Sequence, residues 1–254
     1  ATAADNVYHV TPANFASTLA AIEASDDEVV LIVLDENVTW ETGAEGGSNP
    51  LISDTAKVKS LIVDANGHTI TATGAGVGPI RMANGGTLTI KNGTVKDESK
   101  SYAENNWEFT YLEFAGNLSF KNVQFTSGIM VEGENAAFTN CSFKSDGADV
   151  YGVWVSNGNA SFSGCTFTGT RGLKTHEQYE GSDVGTLTVD NCTFRDISAK
   201  PGIAIGTLNS STKVSITNST FVGCQAGDQG NYIYETDNYV PTLSNNTVVA
   251  GGQV

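Results

Sequence analysis

The chain has 254 residues and a formal net charge of −15, from 13 Lys and Arg residues against 28 Asp and Glu. Such an acidic surface repels phosphate groups, which argues against nucleic acid as a partner. No apolar run reaches the roughly 18–20 residues of a membrane span. The sequence begins at Ala1 without a basic and apolar leader. That start is typical of an exported protein after signal removal, so we expect a secreted or cell-surface location.

The first predicted element is a helix over Thr11–Ser25. Thr11 suits the N-cap position and Pro12 the first helical position. One face carries apolar residues at helical spacing, namely Phe15, Leu19 and Ile22. The rest of the chain repeats as a solenoid does, and a solenoid must cover the apolar end of its first coil. We therefore predict one domain, with a lead-in and N-terminal capping helix in residues 1–28 and the solenoid in residues 29–254.

A four-residue motif recurs along the solenoid. It begins with Asn, or once with Gly, and ends with Phe or Val. Its copies are Asn92–Val95, Asn122–Phe125, Asn140–Phe143, Gly164–Phe167, Asn191–Phe194, Asn218–Phe221 and Asn245–Val248. Successive copies are 30, 18, 24, 27, 27 and 27 residues apart. A period of this length is typical of stacked structural repeats.

Each motif joins two predicted strands at a sharp turn. Alternation around Asn191 predicts four inward residues, which are Leu187, Val189, Cys192 and Phe194. A third strand, such as Gly172–Thr175, follows a variable segment. The strands Glu28–Leu34 and Lys59–Asp64 begin the solenoid, with a predicted loop at Glu41–Ser53. Three strands per coil, over about nine coils, predict an all-β parallel β-helix.

Three short strands per coil, an Asn in the same turn of successive coils and an N-terminal capping helix resemble the right-handed parallel β-helix of the pectate-lyase-like superfamily. The resemblance covers roughly residues 29–250 and concerns the fold more than the activity. It implies a hydrogen-bonded Asn ladder along one turn, interrupted by Gly164. The ladder would consist of Asn92, Asn122, Asn140, Asn191, Asn218 and Asn245. Asn suits this position because it tolerates a left-handed backbone and its amide both donates and accepts.

The resemblance also implies a polysaccharide groove over the third strand of each coil. The outward row of that sheet is rich in aromatic and charged residues, which stack on sugar rings and orient hydroxyl or carboxylate groups. The predicted binding residues are Arg81, Tyr111, Glu113, Glu132, Trp154, Lys174, His176, Tyr232 and Tyr234. The leading hypothesis is a non-catalytic, adhesin-like protein that contacts a glycan or a host or cell-surface polymer through this row.

Titratable residues are concentrated in Arg171–Asp183. They support the alternative of a polysaccharide lyase or glycoside hydrolase with catalytic Arg171, Lys174 or His176. A lyase of the family uses a cation such as Ca²⁺ against a uronate and a Lys or Arg as base, whereas a glycosidase uses clustered carboxylates. Neither motif is recognisable, and a solvated strand with a polar loop also explains the segment. The sequence thus predicts no metal site and no cofactor, with Ca²⁺ considered only for the lyase, and leaves open whether the protein is an enzyme.

Two outward rows of Ser and Thr raise ice binding as a third possible function. Lys91, Lys121 and Asp190 interrupt these rows. Thr is also a favoured residue at outward strand positions in general. The rows therefore have an ordinary structural explanation as well.

Three of the four cysteines, Cys141, Cys165 and Cys192, occupy the same motif position. They are predicted to stack inward as small apolar residues. Stacked neighbours lie near enough for a disulfide in principle. The same position holds Val123 and Ser219 in other coils, which favours free buried thiols.

No capping element is evident in Val248–Val254. An open solenoid end exposes apolar residues and strand edges. We therefore expect a partner domain or further coils at this end.

Overall fold

A computed structural model describes residues 6–42, 49–74, 79–98, 111–145, 150–169, 171–176, 184–197, 204–207, 212–224, 234–236 and 241–250. The chain forms two compact units, residues 1–124 and residues 125–254. Parallel strands wound into coils make up each unit, which confirms the predicted parallel β-helix.

The described residues of the first unit form one helix and nine strands, of which the last ends one residue beyond the unit. These are β1 (Val7–Val10), α1 (Phe15–Ala24), β2 (Val29–Leu34), β3 (Val38–Thr42), β4 (Asn49–Ile52), β5 (Ser60–Asp64), β6 (Thr69–Gly74), β7 (Ile80–Met82), β8 (Thr87–Asp97) and β9 (Leu112–Phe125). They stack in three parallel sheets, β1–β2–β5–β8, β3–β6–β8 and β4–β7–β9. β8 belongs to two sheets because it continues through the turn at Asn92.

The helix starts later than predicted. α1 begins at Phe15, and Asn14 rather than Thr11 is its N-cap residue. The Thr11 backbone N–H donates to Asn14 Oδ1 at 2.8 Å, and Asn14 Nδ2 donates to the His9 carbonyl at 3.1 Å. These bonds hold the preceding residues in a turn, and for that reason the helix cannot begin at Thr11.

The helix nevertheless covers the first coil as predicted. Ile22 is fully buried, and the Phe15 ring stacks on the Trp40 ring with 5.9 Å between centroids. Trp40 itself is buried in β3. No helix in the described part of the chain is long and apolar enough to span a membrane.

Two segments predicted as irregular contain strands. β1 lies in the lead-in and pairs with β2 from Val7 opposite Leu31 to Val10 opposite Leu34. β4 lies in the predicted loop Glu41–Ser53 and pairs with β7 across a shift in register. Strand formation depends on the neighbouring coil as much as on local propensity, so a segment without clear alternation still pairs.

The second unit contains fourteen strands. They are β10 (Ile129–Thr139), β11 (Ser142–Ser145), β12 (Tyr151–Val155), β13 (Gly158–Ser163), β14 (Thr166–Gly169), β15 (Arg171–Thr175), β16 (Val184–Asp190), β17 (Thr193–Arg195), β18 (Ile205–Thr207), β19 (Lys213–Thr217), β20 (Thr220–Val222), β21 (Tyr234–Thr236), β22 (Thr242–Ser244) and β23 (Thr247–Val249). The three sheets are β10–β13–β16–β19–β22, β11–β14–β17–β20–β23 and β10–β12–β15–β18–β21. Three strands per coil are therefore confirmed.

Counted over both units, the coils make about seven turns, slightly fewer than the nine predicted. The predicted count included the last coil, in which β22 and β23 lack a third described strand.

The predicted inward residues fill the core. Leu187, Val189, Cys192 and Phe194 are each at most 1% exposed. The motif aromatic residues of the second unit form one continuous column with centroids 4.6–5.0 Å apart, made of Phe125, Phe143, Phe167, Phe194 and Phe221. Such offset parallel stacking adds to the burial of each ring, so the motif Phe is a core residue.

The motif Asn residues adopt the expected left-handed backbone, with φ between 50° and 60° at Asn92, Asn122, Asn140, Asn191, Asn218 and Asn245. In the first unit Asn122 Nδ2 donates to Asn92 Oδ1 at 3.2 Å, and Asn92 Nδ2 donates to Asp64 Oδ1 at 3.1 Å. The ladder of this unit thus ends on an aspartate, which was not among the predicted members.

A second run of the ladder lies in the second unit. Asn245 Nδ2 donates to Asn218 Oδ1 at 2.7 Å, and Asn218 Nδ2 donates to Asp190 Oδ1 at 2.8 Å. Gly164 occupies the position where the motif lacks Asn. A Cβ on Gly164 would lie 2.4 Å from Asn140 Oδ1, so the Asn140 amide fills the space that a side chain at 164 would need.

Asn218 allows backbone strain and hydrogen bonding to be separated. Asn218→Ala should lower the free energy of unfolding by about 2–3 kcal/mol, from left-handed strain of about 1–2 kcal/mol and two exposed hydrogen bonds of about 0.5 kcal/mol each. Asn218→Gly loses the same bonds without the strain, so its loss should be smaller by about 1–2 kcal/mol. Urea unfolding of both variants measures the difference, and equal losses would show that strain contributes nothing.

Candidate functional site

The predicted binding residues of the second unit lie on the sheet β10–β12–β15–β18–β21. In-register pairing places Trp154 between Met130 and Lys174 on adjacent strands. Tyr151 lies opposite Arg171 at the start of the same two strands. The sheet therefore brings two aromatic and two cationic side chains onto neighbouring coils.

Two hydrogen bonds with the Ser145 hydroxyl fix the backbone of Arg171. Ser145 Oγ donates to the Arg171 carbonyl at 2.7 Å and accepts from the Arg171 N–H at 3.1 Å. The next residue, Gly172, lies so close to the following coil that a Cβ would be 2.1 Å from the Ala204 carbonyl oxygen. Only glycine permits this approach, and the approach determines where β15 presents Lys174.

Lys174 and Arg171 share an aromatic platform. Lys174 Nζ lies 4.3 Å from the Trp154 ring centroid and 5.7 Å from that of Tyr151. Arg171 Cζ lies 5.3 Å from the Tyr151 centroid, and Arg171 Nη1 donates to Tyr151 Oη at 3.3 Å. Cations are attracted to the faces of aromatic rings at such distances. The two rings thus hold both cations in place.

The platform is not the open groove that was expected. Trp154 is 1% exposed and Tyr151 is 4% exposed. The Trp154 indole Nε1 donates to the His176 carbonyl at 2.8 Å, and the neighbouring Met130 is also buried. Alternation indicates which face of a strand a residue occupies, but not what covers that face. Trp154 therefore supports Lys174 from below and offers no free ring to a sugar.

Tyr151 was not predicted as a site residue. The predicted strand began at Gly152, one residue too late, and alternation from Trp154 assigns Tyr151 to the inward face of Val153 and not to the outward row. Tyr151 could have been found from its position directly before the predicted strand, because Arg171 holds the equivalent position in the next coil.

Lys174 is a half-buried cation. Burial, with a smaller effect from the nearby Arg171 charge, lowers the pKa of Lys174 to about 8. Within the described ranges no carboxylate forms an ion pair with it. Ion pairs to carboxylates are made instead by Lys57, Lys59, Lys91 and Lys96. Lys174 thus bears a desolvation cost that no described acidic neighbour offsets.

The predicted binding residues of the first unit lie on or beside the neighbouring strands β7 and β9. Arg81 is in β7, in register with Ala115. Tyr111 precedes β9 and is buried, while Glu113 is half-buried within β9. Their in-register pairing does not place Arg81 opposite either of the other two.

Of the other predicted residues of the second unit, His176 contacts the platform, with its ring centroid 6.4 Å from that of Trp154. Glu132 is half-buried in β10, and His176 follows β15, with its backbone N–H donating to the Val155 carbonyl. Tyr234 begins β21. Tyr232 and the segment 177–183 lie outside the described residues.

The Thr row considered for ice binding is present in register. Its members on successive strands are Ser142, Thr166, Thr193, Thr220 and Thr247. Thr247 is exposed and the other four are half-buried. This arrangement follows from the repeat itself, and ice binding stays a prediction.

A family model described as a right-handed β-helix region matches residues 80–254, more than half of the chain. The chain belongs to the right-handed β-helix family. This assignment confirms the predicted handedness and agrees with the pectate-lyase-like resemblance. In the comparisons with curated proteins and with solved structures, nothing matches the chain. Any role for the platform in this β-helix protein therefore rests on its own geometry.

Lys174→Met should stabilise the protein at neutral pH. The folded-state pKa of Lys174, about 8, lies below the ordinary 10.5. At pH values between these two, Lys174 is protonated in the unfolded chain and deprotonated in the folded chain. The cost of burying the charge is thus complete below pH 8 and disappears above 10.5. We expect a gain of about 1 kcal/mol at neutral pH, discounted for partial exposure and lost cation–π contacts.

Thermal unfolding across this pH range tests the prediction. The gain should shrink as the pH rises through about 8 and be absent above 10.5. Lys144→Met makes the same change at an exposed position of β11 and should have little effect at any pH. A less stable Lys174→Met at neutral pH would show that contacts with the rings outweigh desolvation.

Proposed function

We propose that this β-helix protein is a non-catalytic, secreted or surface protein that binds carbohydrate carrying carboxylate or sulfate groups. The observation that carries the proposal is Lys174, a half-buried cation without an acidic partner among the described residues. A bound anion would supply the missing counter-charge.

The charge balance of the chain makes this lysine unusual. With 28 acidic residues against 13 basic ones, acidic partners are abundant, and four other lysines have one. A desolvated charge without a partner destabilises the folded state, and such perturbed groups are concentrated at functional sites. Arg171 beside it offers the planar donor fork that suits carboxylate and sulfate oxygens.

The number of cations favours a sparsely charged polymer. Duplex DNA carries one negative charge per about 1.7 Å of its axis, and a chain of net charge −15 repels such a density. Lys174 and Arg171 suit one or two acidic groups at a time. An acidic polysaccharide presents its charges at the spacing of its sugar units, and the remaining sugar hydroxyls suit the polar residues of neighbouring coils.

Affinity electrophoresis or retention on immobilised polymers tests the proposal. We expect retention by polygalacturonate or hyaluronan and none by a neutral glucan, with weakening as salt rises. Lys174→Met should reduce affinity by about tenfold or more, since a hydrogen bond to a charged group is lost. Lys144→Met should bind as the wild type does. Equal retention on the neutral polymer, or unchanged binding by Lys174→Met, would contradict the proposal.

A polysaccharide lyase is the second candidate, because the pKa of about 8 leaves part of Lys174 uncharged near neutral pH and able to accept a proton. Product release measured separately from retention distinguishes the two functions. Unsaturated products from the wild type, lost in a Lys174→Arg variant that still binds polymer, would establish the lyase. Binding without any product, retained in Lys174→Arg, is the result expected for the non-catalytic protein.

A further inference from the structure

Three cysteines form a column in the interior of the second unit, here called the cysteine column: Cys141, Cys165 and Cys192. Each precedes one strand of the sheet β11–β14–β17, whose residues Ser142, Thr166 and Thr193 lie in register. The three cysteines form no disulfide and are at most 2% exposed. They therefore stack on successive coils.

The thiols of the column are close enough to affect one another's pKa. Hydrogen bonds from Cys141 and then from Cys192 are the main causes that lower the pKa of the Cys165 thiol. The same interaction with Cys165 is the first cause that raises the pKa of Cys192. Cys165 is thus the middle member, adjacent to both neighbours. Cys224 is buried elsewhere, and its Sγ donates to the Phe194 carbonyl at 3.3 Å.

The spacing of the column disfavours a disulfide. Parallel strands lie about 4.7–4.9 Å apart, and in-register side chains leave them in the same direction. A disulfide needs sulfur atoms about 2.05 Å apart and Cβ atoms about 3.8 Å apart. Two stacked cysteines would have to bend toward each other to form one, against a packed aromatic core.

The same spacing suits a metal ion between two sulfurs. With metal–sulfur bonds of about 2.3 Å, a linear sulfur–metal–sulfur unit spans about 4.6 Å, close to the distance between coils. Soft thiolate ligands favour Cu(I), zinc and iron–sulfur clusters. No group of three or more His, Cys, Asp or Glu converges on one point in the described ranges. A column offers ligands in pairs, which suits two-coordinate ions and not tetrahedral zinc.

We propose that the cysteine column binds one soft monovalent ion, Cu(I) or Ag(I), between Cys165 and either Cys141 or Cys192. Both possible pairs need Cys165, so the column holds one ion at a time. Binding replaces the S–H protons of the two ligands, which leave to solvent, and no electron is transferred. The ion offsets one of the two thiolate charges. Local opening of the coils admits it, because the thiols are buried.

Single serine variants test the shared role of Cys165. The reduced protein is incubated anaerobically with Ag(I) or Cu(I) and desalted, and the metal retained per chain is measured together with sulfur-to-copper charge-transfer absorption. The wild type should retain one ion. Cys141→Ser and Cys192→Ser each leave one pair and should also retain one. Cys165→Ser leaves sulfurs two coils apart, about 9.5 Å, and should lose the ion. Cys224→Ser is the matched control and should bind as the wild type does.

Serine is a suitable replacement because the next coil already uses one. Ser219 occupies the corresponding position, where its Oγ donates to the Thr217 carbonyl at 2.9 Å and accepts from the Cys192 N–H at 3.1 Å. Unfolding midpoints of the four variants confirm that each is folded.

Four results would overturn the proposal. They are no ion retained by the wild type, full retention by Cys165→Ser, loss in Cys224→Ser, and a disulfide within the column under mild oxidant in the absence of metal. Retention of Zn(II) with the same dependence on Cys165 would also contradict two-coordinate binding.

Discussion

In-register stacking of parallel strands is the constraint on which the rest of this structure depends. Strands about 4.7–4.9 Å apart place each side chain directly over the equivalent one in the preceding coil. The Phe column shows this spacing directly, with ring centroids 4.6–5.0 Å apart. The same residue type can repeat in successive coils when its side chains attract one another, or at least do not repel one another, at this distance. In the described coils aromatic rings and side-chain amides meet that condition, and so do the thiols of the cysteine column.

The Asn ladder adds a direction to the stacking. Each described amide bond between ladder residues runs from the later coil to the earlier one. A carboxylate can only accept, so an aspartate can serve only as the first acceptor of a run. Asp64 and Asp190 serve in this way from the position before the turn, where they lie in register with Lys91 and Thr217. Asp190 accepts from Asn218 and also from Thr217 Oγ1 at 2.8 Å, and these two bonds lower the pKa of Asp190. The aspartates are therefore part of the ladder's geometry and not exceptions to it.

Stacking also explains which features the sequence could predict. Asn191, Cys192 and Phe194 recur at a regular period because the next coil dictates their chemistry, so their positions were predicted correctly. The beginning of α1 and the burial of Trp154 depend on groups outside the repeated positions. For α1 the group is the side chain of Asn14, and for Trp154 it is the set of residues packed over the sheet. A one-dimensional period contains no information about those groups, which is why the fold was predictable and the state of the candidate site was not.

The same constraint limits where charge can stand. Two like charges stacked at coil spacing repel each other, so a row cannot repeat a lysine as it repeats a phenylalanine. On the adjacent strands, Lys174 lies in register with Trp154 on one side and Gly206 on the other. Neither neighbour is charged, so the nearby cation is Arg171, which lies outside this row. The cysteine column avoids stacked like charges in a different way. Its sulfurs can stack when the thiols are protonated or when two thiolates share the one metal ion that we propose. At Lys174 no described residue supplies a charge of opposite sign, so the cost of burying this cation is not offset within the described part of the chain.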